Sequence, residues 1–459
     1  MRKAEIGQHV RQSQEYTELR VQENRSATIS MVNGSVVQNQ RSVTGGVSAR
    51  SFTNGVWGFA SLPEVSDAAI ARVIDLAGTN VRFLAGKERR GSVTLPSRPG
   101  VGSVSLATSR PRAGQKWLMD FVRTIDDWIA GHCPGLSSRR LQLANLDMEK
   151  TLVTADGADA YSLTPRAILY VSLTTAAGPD SIDLYDVFGG SGQFEDVFAN
   201  PHALFPRIDE LYAQLRRKAE GVYPDAGKHE VVLGPDLAGI LAHEAVGHTV
   251  EADLVLGGSV AGDRLGQPVA AELVTLVDYA HTAFGRPCPV PVHIDDEGVA
   301  AQDAVLIDRG ILKGFLHNKE TAAHFGVAPT GNARAYQFSD EPLVRMRNTA
   351  IVPGTSRLPE MIASVDDGYY LMRSSNGQAD STGEFTFGVI LGYEIKHGKL
   401  GRAIRDTTIS GVAFEMLKTV TAVSDDMTWN CSGMCGKKQP IPVGMGGPAV
   451  RCHIMIGGR

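Results

Sequence analysis

His243, Glu244 and His248 lie within LAHEAVGHTVEAD, residues 241–253, on a segment that Pro235 opens as a helix. Imidazoles bind a divalent metal through a neutral ring nitrogen, and a carboxylate beside them can take a proton from a water that the metal activates. The spacing is unusual. A helical zinc site of the HExxH kind sets its histidines four residues apart, whereas these are five apart. At about 100° per residue, positions i and i+5 point roughly 140° apart on a regular α-helix, against about 40° for i and i+4. A regular helix therefore forbids a shared ion. One wide turn with i to i+5 bonding returns both rings to one face, so the sequence predicts a π-type turn between His243 and His248, eased by Gly247. Taken alone, the trio fits equally well a helix whose histidines make ordinary hydrogen bonds.

A catalytic zinc site needs a third protein ligand and one open position. Glu251, Asp253, His281 and the cysteines are available, and Glu251 ranks level with a cysteine near the C-terminus. The stretch CSGMCGKKQPIPVGMGGP, 431–448, is rich in Gly and Pro, which would pin a thiolate on a rigid turn; it makes Cys431 and Cys435 the candidates. An odd set of five cysteines, at 133, 288, 431, 435 and 452, suits a reducing compartment, and Cys133, Cys288 and Cys452 read as buried structural thiols. His281, His293, His317 and His324 lack ligand spacing and read as structural. The types of Asp278, Arg347 and Asn348 assign them no role.

The elements that must position these residues are legible in outline. From Glu15 to Ser61 short alternating segments (ELRVQENR, ATISMVNG, SVVQNQRS, GVSARSF, GVWGFAS) are broken by Asn-Gly pairs at 33–34 and 54–55, which predicts an antiparallel meander. A helix opens at Ser66 and Asp67, and a second carries Trp117, Leu118, Phe121, Val122, Ile125, Trp128 and Ile129 as one apolar core stripe. Arg139 to Thr175 alternates again in the strand period. GGSGQ at 189–193 lacks the lysine of a phosphate loop and reads as a turn. Asn200 to Glu220 suits an amphipathic helix, and GVYPDAGKH after it has the composition of a boundary. The expected class is α+β: an N-terminal domain, 1–222, of antiparallel meanders backed by helices, and a C-terminal domain, 223–459, mainly β around the metal-binding helix, reading from Val274 onward as strands and turns.

At 459 residues two domains are expected, and 43% hydrophobic with 21% charged residues describes a soluble globular chain. No apolar run approaches the roughly 20 residues a bilayer needs, and MRKAEIGQHVRQSQEY lacks the apolar core of a secretory signal, so no membrane is expected and the cytoplasm is the expected address. A net charge of −5 argues against nucleic acid. The basic loops at Lys87 to Arg90 and Arg110 to Arg112 read as solvated surface.

HEAVGH followed by EAD, then FGVAPTGNARA (325–335), VRMRNTAIVPG (344–354), GEFTFGVILGYEIKHGK (383–399) and MCGKKQPIPVGMGGP (434–448) resemble, in order, the signatures of the TldD/PmbA metallopeptidase family; GVSARSFTNGVWGFAS (46–61) is similar to its N-terminal meander. The catalytic type of subunit in that family carries HExxxH and a cysteine before Gly-Lys, and its companion lacks them. The resemblance therefore implies His243, His248 and Cys435 as zinc ligands, Glu244 as general base and Cys431 as a bystander. It also implies a heterodimer with a TldE/PmbA-type companion, or a homodimer, closing a chamber in which unfolded, ribosomally made peptides are matured. The chain has less helical lead-in before its first strand than the resemblance implies. The expected chemistry is metal-assisted amide hydrolysis with Glu244 moving the proton, on a substrate added to a sheet edge as a strand. A thiolate in the ligand set makes the attacking water a weaker acid than three histidines would, so turnover is expected to be modest. The rival expectations are an amide hydrolase for a small peptide-like metabolite and a catalytically silent, zinc-stabilised partner subunit.

Overall fold

The computed structural model describes residues 9–11, 13–87 and 93–457; Glu88 to Arg90 of the first basic loop lie outside them. Both Asn-Gly pairs turn with positive φ, 49° and 81° at Asn33-Gly34 and 49° and 80° at Asn54-Gly55, which is the backbone that two-residue hairpin loops demand. They divide the N-terminal chain into β1 (Tyr16–Val32), β2 (Ser35–Thr53) and β3 (Val56–Leu62). Three long strands thus replace the five short segments, because no breaker interrupts β1 and Gly45-Gly46 within β2 stays paired with Glu23 and Gln22. With β4 (Val101–Ser105), β5 (Leu136–Thr154), β6 (Asp159–Ala177) and β7 (Asp180–Ser191) they form a seven-stranded sheet, ordered β3-β2-β1-β5-β6-β4 with β7 also on β6. GGSGQ falls at the end of β7 and the bend after it.

Helices Asp67–Lys87 and Gln115–His132 cover one face of this sheet. In the second, Leu118, Phe121, Val122, Ile125 and Ile129 are buried against Ile29, Met31, Leu141 and Leu143 of β1 and β5, each contributing roughly 1.5–3 kcal/mol by leaving water; contrary to the expected stripe, Trp117 is 42% exposed and Trp128 only half-buried, at the rim of this core. The opposite face is polar and equally buried, since the second half of the chain packs on it. Arg50 pairs with Glu18 at 2.9 Å and with Glu297, and Lys319 Nζ reaches Asp156 at 3.1 Å and Glu18 at 3.5 Å. Lys150 Nζ meets Asp296 at 2.7 Å, and Gln22 and Asn24 both donate to the Tyr336 carbonyl at 2.7 Å.

The second half begins with β8 (Gly227–Leu233), parallel to Asp367–Ala379 and antiparallel to Val450–Ile456. Thr407–Val412 and Glu384–Lys396 extend this sheet, and Glu384–Lys396 pairs back onto Asp367–Ala379, so the strands close into a ring. A separate six-stranded sheet holds Leu276–Tyr279, Asn348–Ile351 and Gly444–Gly447. The helix that follows β8 lies between the two. Leu237, Leu241 and Val246 join one core with Val231, Leu233, Phe387 and Ile409, while Gly239 approaches so closely that a Cβ there would stand 2.9 Å from Gly446 N. Short helices at Lys319–Phe325, Leu358–Ala363 and Ala413–Leu417 depart from the expected run of strands and turns; the first starts from a capping box in which Asn318 and Thr321 satisfy each other's backbone N–H. The α+β class expected from the sequence is the class observed. No helix among the described residues is long and apolar enough to cross a membrane.

Candidate metal centre

Gly234 caps the helix and Pro235 starts it, Pro235–Leu241 is regular, Ala242–Gly247 is a π turn, and His248–Val250 tightens to a 3₁₀ turn. The wide turn required by the five-residue spacing is therefore present. Gly247 serves it by packing rather than by φ, because a Cβ there would lie 2.0 Å from Met346 Sδ. The turn brings the rings of His243 and His248 to a centroid separation of 5.3 Å at 77°.

Cys435 arrives from the far end of the sequence on a hairpin in which Met434–Cys435 pairs with Ile441–Pro442. Three arginines hold its carbonyls: Arg345 donates to Cys435 O at 2.6 Å and Gln439 O at 2.8 Å, Arg334 to Pro442 O at 2.8 Å, and Arg166, from β6 of the first sheet, to Cys431 O at 2.6 Å. The thiol so placed has Sγ 3.4 Å from His248 Nε2. One donor atom each from His243, His248 and Cys435 lie within 4.8 Å of one another.

The electrostatics fit a metal. His243 is 1% exposed, yet neither of its ring nitrogens has a hydrogen-bond partner, an arrangement that costs free energy unless something else binds there. Burial alone would push the Cys435 thiol up, but the imidazoles of His243 and His248 outweigh it and bring it down to about 3. Burial would lower His248, and Cys435 and Glu251 instead raise it to about 10. The pair is a thiolate facing an imidazolium, so metal uptake must displace a proton from His248. Two imidazoles and a thiolate suit a divalent ion of borderline softness, with a position left open.

Glu244, partly buried, points its carboxylate to within 3.6 Å of His248 Nε2 and lines a broad cleft of about 1100 Å³ together with Gln378, Glu384, Thr386, Ser410 and Met434. A tighter cavity of about 90 Å³, between β5, β6 and residues 289–296, contains none of His243, Glu244, His248 and Cys435, though Arg166 and Arg334 line it.

The other candidates go elsewhere. Glu251 is fully buried and accepts from His248 Nδ1 at 2.8 Å, so it orients the ring and leaves Nε2 for the centre. Asp253 accepts from Lys437 Nζ at 2.7 Å, and that ammonium also stands 3.3 Å from Glu251. His281 stacks on His293 at 4.2 Å, and Cys431 Sγ donates to Gly189 O at 3.1 Å. Sequence reasoning missed Arg166, Arg334, Arg345 and Lys437; only Lys437, two residues past Cys435, left a local clue.

Comparison with known proteins follows the same lines. Residues 226–458 match the family model described as PmbA/TldA metallopeptidase C-terminal domain, and 17–81 match PmbA/TldA metallopeptidase domain 1. A metalloprotease of Methanothermobacter thermautotrophicus is 31% identical over 97% of this chain and 96% of its own. A zinc metalloprotease TldD homolog of Saccharolobus solfataricus is 27% identical over 90% of each. Among solved structures, TldE from Thermococcus kodakarensis shares the fold with a TM-score of 0.74 at 18% identity, covering 96% of this chain and 97% of its own.

Proposed function

This chain belongs to the PmbA/TldD metallopeptidase family, and we propose that it is a catalytic, TldD-type subunit: a zinc-dependent peptide hydrolase for unfolded or ribosomally made peptides. The observation that carries this reading is the convergence of His243, His248 and Cys435 within 4.8 Å around a buried histidine without hydrogen-bond partners. His243, His248 and Cys435 would hold the zinc, which would supply Lewis-acid polarisation of a water and of the scissile carbonyl. Glu244 then accepts the proton of the attacking water and returns it to the leaving amine. Glu251 keeps the Nδ1 proton of His248 in place throughout, and Lys437 balances the charge of Glu251 and Asp253.

Breadth of the cleft favours a chain over a small metabolite, since about 1100 Å³ exceeds the usual small-molecule pocket. Met434 and Gly436 line it, and Met434–Cys435 is paired on one side only, with Ile441–Pro442. We place an extended peptide in this cleft, where main-chain pairing would select for unfolded segments. A companion of the TldE type, or a second copy, would close the cleft, and the cytoplasm is the compartment that suits free thiols. We place the domain division near residue 222, between the last helix over the first sheet and β8.

Measuring zinc content and hydrolysis of an unstructured peptide together tests the proposal. Glu244→Gln is expected to keep zinc and lose hydrolysis; Cys435→Ala is expected to lose both. Full zinc in Cys435→Ala, with loss in Glu251→Ala instead, would move the third ligand to the carboxylate.

A further inference from the structure

The cavity of about 90 Å³ lies between the covered polar face of the first sheet and the second half of the chain. Leu146, Met148 and Leu152, alternate residues of β5, form one wall with β6, and Val290, Val292 and Ile294 form the other. It shares no lining residue with the cleft: the Cys435 hairpin lends Met434 to the cleft and Ile441 and Pro442 to the cavity. The charges around it do not balance. Lys150, Arg166 and Arg334 line it against Asp295 and Asp296. Asp296 is shared by Lys150 at 2.7 Å and Arg20 at 3.9 Å. Asp295 is turned to its own loop and to Ala333, accepting the N–H groups of Glu297, Val299 and Ala333 at 3.0, 2.9 and 3.0 Å. Arg334, 6% exposed, donates only to carbonyls, of Met346 at 2.6 Å and Pro442 at 2.8 Å, and Arg166 to that of Cys431; neither pairs with a carboxylate among the described residues. A guanidinium has more N–H groups than these bonds use.

We propose that this cavity binds a small carboxylic acid with a branched apolar body, its carboxylate on Arg334 beside Lys150 and its body between the β5–β6 wall and Val292. A buried cation without a counter-ion is costly. Burial, then Arg345, push Arg334 down to about 10, and burial brings Lys150 to about 8 against the pull of Asp296, so an anion here relieves both. The hydroxyls of Ser162 and Thr164 also line the cavity and lack a hydrogen-bond partner among the described residues, which leaves polar contacts for the ligand's second oxygen. Size sets the body. At about 30 Å³ for each water-sized unit, the cavity admits roughly three or four heavy atoms beyond the carboxylate, the bulk of a valine or leucine side chain. Apolar walls disfavour a bare, strongly hydrated anion such as phosphate. The site stands apart from the metal centre and goes beyond the peptide hydrolysis proposed for it.

Titration of the full, zinc-loaded chain with isovalerate, followed by saturation-transfer NMR, is expected to saturate. The alcohol of the same shape, 3-methyl-1-butanol, is expected to bind roughly tenfold or more weakly, for want of the charge. Ser162→Leu fills the cavity from β6 without removing a hydrogen bond and is expected to abolish binding at unchanged zinc content. Ala160→Leu, on the same wall, gives a second reading should Ser162→Leu unfold the sheet. Because zinc itself binds carboxylates, the titration is repeated on Cys435→Ala, which is expected to lose zinc and keep isovalerate whether or not the chain hydrolyses peptides. Glycyl-valine tells two sources of such a carboxylate apart, and either answer supports the site: displacement of isovalerate makes the ligand the C-terminus of a peptide, and no displacement makes it a free acid. Absence of saturable binding, equal binding of the alcohol, displacement by inorganic phosphate, indifference to both leucines, or loss of binding together with zinc would each overturn the proposal.

Discussion

Two buried polar regions of this molecule are built on opposite plans. Where β1 meets the second half of the chain, charges answer one another: Glu18 lies between Arg50 and Lys319, and Asp296 between Lys150, at 2.7 Å, and Arg20, at 3.9 Å. At the metal centre they do not. His243 is as deeply buried as those groups and has no partner on either nitrogen, while Glu251 and Lys437 balance each other just behind His248. Burial of polar groups therefore marks no site by itself. The seam too leaves single atoms without hydrogen bonds, Arg20 Nε and Gln22 Oε1 among them; what separates the two regions is that the seam's charges pair with one another, whereas the centre directs its donors at one shared volume.

The largest effect that would break this contrast is catalytic. Glu244→Gln is expected to cost roughly 10² to 10⁴ in peptide hydrolysis at unchanged zinc content; activity within a few fold of wild type would leave the centre as inert as the seam. Next comes the seam, where Lys319→Met leaves Asp156 without its cation and Glu18 with Arg50 alone, and is expected to cost about 3–5 kcal/mol in a urea unfolding curve. A loss below about 1 kcal/mol would mean that the charges are wetter than their burial suggests. Glu251→Gln tests the support behind the centre and should weaken zinc binding about 10- to 100-fold; unchanged affinity would reduce Glu251 to packing. The smallest effect is at His317, just before the seam's Lys319, where burial holds the imidazole down at about 4. Because the unfolded chain binds this proton at about pH 6.5, the contribution is complete above that value and is lost as pH falls towards 4. The drop in thermal midpoint between pH 7 and pH 4.5 should shrink in His317→Gln, and an equal drop in both proteins would clear His317 of any part in it.

Much of this was legible in the sequence, for identifiable reasons. Asn-Gly pairs specify their own turns, the stripe from Leu118 to Ile129 specifies its own face, and the five-residue spacing demanded a wide turn because a regular one could not serve. The rest depends on parts distant along the chain. Alternation in β1 says that Glu18, Arg20, Gln22 and Asn24 share a face, but not that another sheet system covers it. Arg345 and Arg166 act on the Cys435 hairpin from 90 and 265 residues away, which no local pattern records. Glu251 was visible as an acid three residues past His248. Whether it binds or orients was decided by the helix ending at Val250, which leaves Glu251 extended at φ −70° and ψ 119° with its carboxylate turned back onto Nδ1.

The π turn also bears on which sequences can be ancestors or descendants of this one. It takes up one residue more than a regular turn, so the helix before Ala242 and the residues from His248 on keep their faces although the count between them has grown by one. Deleting Val246 would give the commoner four-residue spacing in one genetic step. In a regular helix that deletion leaves Leu237 and Leu241 facing the core and the second histidine facing Cys435, with the two imidazoles about 40° apart. The two spacings are thus neighbours in sequence space, one deletion or insertion apart, and the wide turn is what lets a change of length pass without loss of the core or of the centre.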